Sequence, residues 1–216
     1  MDTKSTGVGI ILLALLATIL GIIVFPTVSP DFAFHGGTTG ILGGHMSKIL
    51  GIFLYPLALC LLFAVWYLIP KMEPMYKNLD TFRHEYNGFW FVMAIFFFYL
   101  FALTIGQQVG WEFDFRQAVA PAIALVFASA SILLEHSRRN YLVGIRTPWT
   151  LSSDKVWKRT NVLGSKLFLL CAVWTFAGAI YPNHLLWFLV IPLILTIFIT
   201  TIFSYVEFRR LESVPY

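Results

Sequence analysis

Six apolar runs alternate with shorter polar stretches along this chain. They cover residues 8–25, 49–69, 89–105, 118–134, 163–180 and 185–205. A bilayer core of about 30 Å needs roughly 17–25 helical residues, and every run has that length. None shows the two-residue alternation of a barrel strand. Lipid offers backbone polar groups no partner, so each run is predicted to be an α-helix. The expected fold is all-α, a polytopic membrane protein of six transmembrane helices. The fourth run is Ala-rich and holds Pro121, Ser129 and Ser131. Small residues let helix backbones approach closely, so this run is expected in the bundle interior. Between the fifth and sixth runs only Tyr181, Pro182, Asn183 and His184 remain, which suits a tight helical hairpin.

Composition agrees with the pattern. The chain is 58% hydrophobic and 12% charged, against about 25% charged in soluble domains. Its net charge of +4 is a topology signal rather than a nucleic-acid footprint, because cytoplasmic loops retain Lys and Arg. With six spans, twelve Lys and Arg fall on one side and only Lys48 and Arg116 on the other; Lys166 lies near the start of the fifth span. Both termini are therefore expected in the cytoplasm. Lys4 ahead of the first run gives a loose likeness to a signal peptide. The run is longer than an h-region and no cleavage site follows it, so it reads as a retained span. The organisation predicted is an N-terminal membrane region, 1–87, with two spans, an extracellular Gly-rich loop and a cytoplasmic loop. A C-terminal region, 88–216, follows with four spans. Cys60 and Cys171 fall inside spans and read as small buried apolar side chains.

Chemistry is sparse within the spans. Intramembrane Asp, Glu, Lys or Arg would mark an ion path, but Glu135, Lys166 and Glu207 sit at span ends. Thr18, Tyr99, Thr104, Ser129 and Thr196 read as interhelical glue. Trp66, Tyr67, Trp90, Trp111, Trp149, Trp157 and Tyr205 stand near span ends, as interfacial aromatics do. No GxSxG, P-loop or zinc-protease signature is present. Topology puts His35 and His45 on the opposite side from His84 and His136, which disfavours an enzyme. No cofactor or metal site is read from the sequence.

Two loops carry more information. The first outer loop contains Asp31, His35, Gly40, Gly44, His45, Ser47 and Lys48. Its histidines match no standard metal spacing, and an ordered loop with some ligand-contact role remains. The second outer stretch, Gly110 to Asp114, is acidic and aromatic and reads first as an interfacial anchor. The longest polar run is 140–168. Gly144 and Pro148 bracket Arg146 in a constrained segment, and Thr147 before Pro148 is biased towards extended backbone. From about Ser153 the pattern turns helical. Val156, Thr160, Leu163 and Leu167 share one face, and Lys155, Lys158, Arg159 and Lys166 another. An amphipathic juxtamembrane helix running into span five is expected, with Ser152 and Asp154 capping its start.

The string from Gly144 to Ser152, GIRTPWTLS, followed by Val156-Trp157, Thr160-Asn161 and Leu163-Gly164, closely resembles the signature of the SdpI-like immunity-protein family. The outer loop is similar to a domain of uncharacterised function often found with that signature. Pro30, Asp31, His35, Gly40, Gly44, Ser47 and Lys48 match its pattern, whereas Gly36, Gly43 and Met46 depart from it. The resemblance implies a multi-pass plasma-membrane protein that protects against a secreted toxic peptide met on the outer side. It also implies a partner on the cytoplasmic side, a soluble transcriptional repressor held at the membrane, with no direct contact to nucleic acid. The candidate signature residues are Gly144, Arg146, Thr147, Pro148, Trp149, Thr150, Ser152, Asp154, Trp157, Lys158, Thr160, Asn161, Gly164 and Lys166. Arg146 would anchor a partner, and Trp149 and Trp157 would fix the loop at the interface. Asp31, His35, Gly40, Gly44, Ser47 and Lys48 are the candidate outer contacts. The rival reading from another class is a small transporter or channel, which requires a continuous polar path between helices.

Overall fold

The computed structural model describes residues 1–28, 31–34 and 44–212. In chain order its elements are α1 (Thr3–Val24), β1 (Asp31–Phe34), β2 (Gly44–Ser47), α2 (Lys48–Leu68), α3 (Tyr76–Asp80), α4 (Arg83–Gln108), α5 (Phe115–His136), α6 (Pro148–Ser152), α7 (Asp154–Ala177) and α8 (Leu185–Glu212). Six of these helices, α1, α2, α4, α5, α7 and α8, are long and apolar enough to cross a membrane. The protein is a multi-pass membrane protein built as an all-helical bundle.

Helix ends run past the apolar stretches. α4 begins at Arg83 rather than Phe89, and α8 continues to Glu212 beyond Tyr205. Interfacial turns are polar, so hydropathy does not register them, yet their backbone gains the same i to i−4 bonds. α7 runs unbroken from the polar segment into the fifth span, as the periodicity predicts. Between α7 and α8 two single turns of 3₁₀ helix make the expected tight hairpin.

α1, α2 and α4 pack around Ile10, Ala14, Ala17, Leu59, Leu62 and Phe101. α5, α7 and α8 form a second group, and α5 joins the two by packing on both α4 and α7. Ala120 and Ala124 bury the close-contact face of α5, while Leu125 and Ile132 on its other face are more than half exposed. The expectation of an interior fourth helix therefore holds for one face only. α8 meets α7 with a stripe of Thr196, Thr200, Ser204 and Glu207, all buried. Their spacing keeps them on one helical face, and the opposite face presents Ile197, Phe198 and Ile202 outward.

Several expectations need correction. Thr18 and Ser129 donate to carbonyls of their own helices, Ala14 and Val126, rather than across the bundle. Three of the others do bond across it: the Thr104 and Tyr55 hydroxyls meet at 3.0 Å, Thr196 Oγ1 and Cys171 Sγ at 3.4 Å, and the Tyr99 hydroxyl donates to the Ala118 carbonyl at 3.1 Å. Cys60 is exposed on the outer face of α2, whereas Cys171 is buried. Trp66 and Trp157 are not interfacial side chains; they are 2% and 1% exposed inside the bundle. Each indole is admitted there by a partner for its N–H. Trp66 Nε1 donates to Asn87 Oδ1 at 3.1 Å.

The outer loop, expected to be ordered, contains an antiparallel pair. Asp31 stands opposite Ser47, Phe32 opposite Met46, Ala33 opposite His45 and Phe34 opposite Gly44. Phe-Ala-Phe suits a short strand, but four residues give too little alternation to declare it. His35 and Gly40 lie outside the described residues.

Candidate functional site

The polar end of the bundle gathers the ends of all six long helices. Asn87 Nδ2 on α4 donates to Thr3 Oγ1 on α1 at 3.1 Å. Asn78 Nδ2 on α3 donates to the Arg139 carbonyl at 2.7 Å. Glu73 is 3% exposed, and its carboxylate accepts from the Met75 amide at 2.9 Å and the Tyr141 amide at 3.1 Å. The loop before α4 is thereby tied to the loop after α5. Asn140, wholly buried, holds its own turn: Oδ1 accepts from the Leu142 and Val143 amides, both at 2.7 Å, and Nδ2 donates to the Arg138 carbonyl. This is an Asx-type substitute for regular structure.

The signature residues follow from that turn. Gly144 has φ +117°, a region that L side chains rarely adopt. A Cβ on it would lie 2.7 Å from Trp157 Cζ2 and 2.9 Å from Asn161 Oδ1. The chain thus crosses α7 at closest approach. Asn161 Oδ1 accepts from the Ile145 amide at 2.8 Å, and its Nδ2 donates to the Trp157 carbonyl at 3.1 Å. Trp157 Nε1 donates to the Ser137 carbonyl at 3.2 Å. The Ile145 side chain fills the space that Gly164 leaves: a Cβ there would meet Ile145 Cδ1 at 2.1 Å.

A capping box then opens α6. Thr147, in extended backbone as expected, accepts from the Thr150 amide at 3.2 Å, and Thr150 Oγ1 accepts from the Thr147 amide at 2.8 Å. Pro148 occupies the first helical turn, where its missing N–H costs nothing. The Thr150 hydroxyl donates to the Ile145 carbonyl at 2.9 Å. The Thr147 hydroxyl donates to Ser204 Oγ on α8 at 3.0 Å. Trp149 lies edge-on to Tyr205 of α8, with ring centroids 5.1 Å apart. The segment is therefore a clasp over α5, α7 and α8. Arg159 of α7 adds an ion pair to the nearly buried Glu207 of α8.

Other candidate residues point outward. Arg146 is exposed, and its guanidinium donates to the Tyr141 carbonyl. Lys166 is exposed on α7. Lys158 Nζ donates to the Glu135 carbonyl at 2.8 Å, tying α7 to the end of α5. The expected cap at the start of α7 shifts by one residue. Ser153 is the N-cap, accepting from the Val156 amide at 3.5 Å, whereas Ser152 bonds back to the Trp149 carbonyl. Asp154 in the first turn lies 2.8 Å from Arg139 Nε, off the hydrogen-bond direction, while Arg139 Nη1 donates to the Leu151 carbonyl at 3.0 Å. The buried stripe of α7 runs through Val156, Trp157, Thr160, Asn161, Gly164 and Ser165. Leu163 and Leu167, expected on the inner face, are half-buried at its margin. Small and hydrogen-bonded polar residues line the inside because close helix contact selects them there. Ser165 meets Ser131 of α5 at 3.2 Å.

In the outer loop, Ser47 caps α2 by accepting from the Leu50 amide at 3.4 Å. Lys48 Nζ sits 4.5 Å from the Phe25 ring centroid. Asp31 and Gly44 are at opposite ends of the hairpin register. Sequence reasoning missed Asn140, Ser137, Glu73 and Asn78. Asn140 and Ser137 adjoin the polar run and its turn residues hint at them; Glu73 and Asn78 show their role only when two distant loops meet.

Residues 137–204 match the SdpI/YfhL protein family. They begin at the carbonyl that holds Trp157 and end at the hydroxyl that holds Thr147. A relative, the immunity protein SdpI of Bacillus subtilis (strain 168), is 24% identical over 169 residues, covering 78% of this chain and 79% of its own. No solved structure matches the chain. The match thus takes in the clasp, α6, α7 and most of α8, and this multi-pass membrane protein is similar to the SdpI/YfhL family over that stretch of its C-terminal half.

Proposed function

We propose that the chain is a membrane immunity protein, protecting against a secreted toxic peptide by binding rather than catalysis. The observation that carries this reading is the similarity to the Bacillus immunity protein over 78% of the chain, both halves included. The excess of Lys and Arg at the clasp end supports a cytoplasmic clasp. The hairpin and the loop around Trp111 then face the toxin's side. The clasp joins three helices, so displacement of their outer ends reaches the segment that bears Arg146. Arg146 and α6 are the surface offered to a soluble repressor.

Expression in toxin-sensitive cells tests the immunity claim. Survival above that of cells with an empty vector is expected, and survival equal to it refutes the claim for this chain. The partner surface is tested separately. Arg146→Ala removes an exposed side chain whose one described bond is to a carbonyl, so fold and survival should persist. Recovery of the cytoplasmic repressor on the variant should fall, and equal recovery on both chains removes Arg146 from the contact.

A further inference from the structure

A cleft of about 520 Å³ opens at the clasp end between α3, the start of α4, the end of α5 and the start of α7. Asn78, Thr81, Glu85, His136, Arg138 and Lys158 line it. The Arg139 and Asp154 side chains, also in its wall, are paired with each other. Among the described residues, no side chain or carbonyl is bonded to the side chains of Arg138 or Glu85. Lys158 uses one of its three N–H donors on the Glu135 carbonyl. Two cations and one carboxylate thus face the cleft, and a single negative charge would neutralise it.

A second observation says where the rest of a ligand goes. An apolar groove of about 270 Å³ lies between α4 and α5, lined by Val92, Phe96 and Tyr99 on one helix and Pro121, Ala122 and Leu125 on the other. It continues the seam on which the cleft opens. On α4, Val92, Phe96 and Tyr99 follow Glu85 at helical spacings that return to the same face. On α5, Ile132, Leu125 and Ala122 precede His136 in the same way. At 1.5 Å per residue the groove begins about 10 Å below Glu85 and reaches about 21 Å at Tyr99, about half the thickness of a bilayer with its headgroups. Ile132, between cleft and groove, is exposed.

We propose that this seam is a specific site for an anionic glycerophospholipid. Its phosphodiester meets Arg138 and Lys158, and one acyl chain lies in the α4–α5 groove. Basic pockets between membrane helices hold lipid phosphates by this chemistry. The site is separate from Arg146 and does not rest on the immunity reading.

Native mass spectrometry of the full chain in detergent tests it, with palmitoyl-oleoyl phosphatidylglycerol, the matching phosphatidylethanolamine and inorganic phosphate as probes. Phosphatidylglycerol should be retained most. The Arg138→Gln, Lys158→Gln double variant should retain it about thirtyfold less, losing two charge contacts near the surface. Ala122→Phe fills the groove and should also reduce retention. Glu85→Gln removes the opposing charge and should increase retention, a gain that misfolding does not produce. Retention by the double variant or by Ala122→Phe equal to that of the parent chain overturns the proposal. So does equal retention of the two lipids. Displacement of the lipid by an equal concentration of inorganic phosphate would make this a soluble-anion site and overturn the lipid assignment.

Discussion

Two loops of this protein each turn on a glycine in the left-handed region, at opposite ends of the bundle. Gly110, φ +93°, follows α4, and Gly144, φ +117°, follows α5. Nothing lies within 4 Å of where a Cβ on Gly110 would sit, whereas at Gly144 the same atom would strike Trp157 and Asn161. One loop needs glycine for its backbone angle alone. The other needs it for the angle and for the close crossing of α7. The surroundings follow suit. The loop at Gly110 is held by local bonds, the Trp111 amide to the Gly106 carbonyl at 2.9 Å and Asp114 capping α5. The loop at Gly144 reaches α3, α7 and α8 through Asn78, Asn161 and Ser204. The family match covers the second loop and not the first. A loop that connects distant elements constrains more residues than a loop that turns on itself.

Gly144→Ala should be the most damaging change. The backbone angle and the overpacking against Trp157 together cost about 2–4 kcal/mol. Thermal or denaturant unfolding in detergent reads this as a lowered midpoint, and a midpoint like the parent's would mean that the crossing relaxes freely. Asn161→Ala comes next. It leaves the Ile145 amide without its acceptor in a buried site, a loss of about 1–3 kcal/mol. Gly110→Ala carries only the backbone term, about 1 kcal/mol, and comparing it with Gly144→Ala under one protocol isolates the packing contribution.

The comparison also explains what the sequence discloses. Span-length apolar runs, the helical pattern from Ser153 and the extended Thr147 are local properties, and each appears where periodicity or a Pro puts it. The GIRTPWTLS string marks the right segment. Its letters do not say that Trp157 faces inward, because a tryptophan near a span end suits the interface equally well by hydropathy. The partner that decides it, the Ser137 carbonyl, is twenty residues away. Ser153 rather than Ser152 caps α7 because α6 ends between them, and a five-residue helix is too short to show a period. Glu73 reads as an ordinary loop carboxylate until the Tyr141 amide is brought to it.

The smallest effect expected is at Asp114, which caps α5 in the self-contained loop. Burial works to raise its pKa, but hydrogen bonds from the Arg116 side chain and from the Arg116 and Gln117 amides, with the Arg116 charge, hold it below the usual aspartate value. A depressed carboxylate stabilises the fold fully above its unfolded value of about 3.9 and loses that contribution as pH falls through the lower folded value. Asp114→Asn keeps a capping oxygen and loses the charge. At neutral pH the parent chain should melt slightly above the variant. The difference should shrink as the pH is lowered below about 4, because protonation removes from the parent what the substitution removed from the variant. Melting midpoints measured in parallel across that range check the sign. A difference that stays constant down to the lowest pH would show that Asp114 holds the loop by shape alone, leaving Gly110 and Trp111 to set the turn.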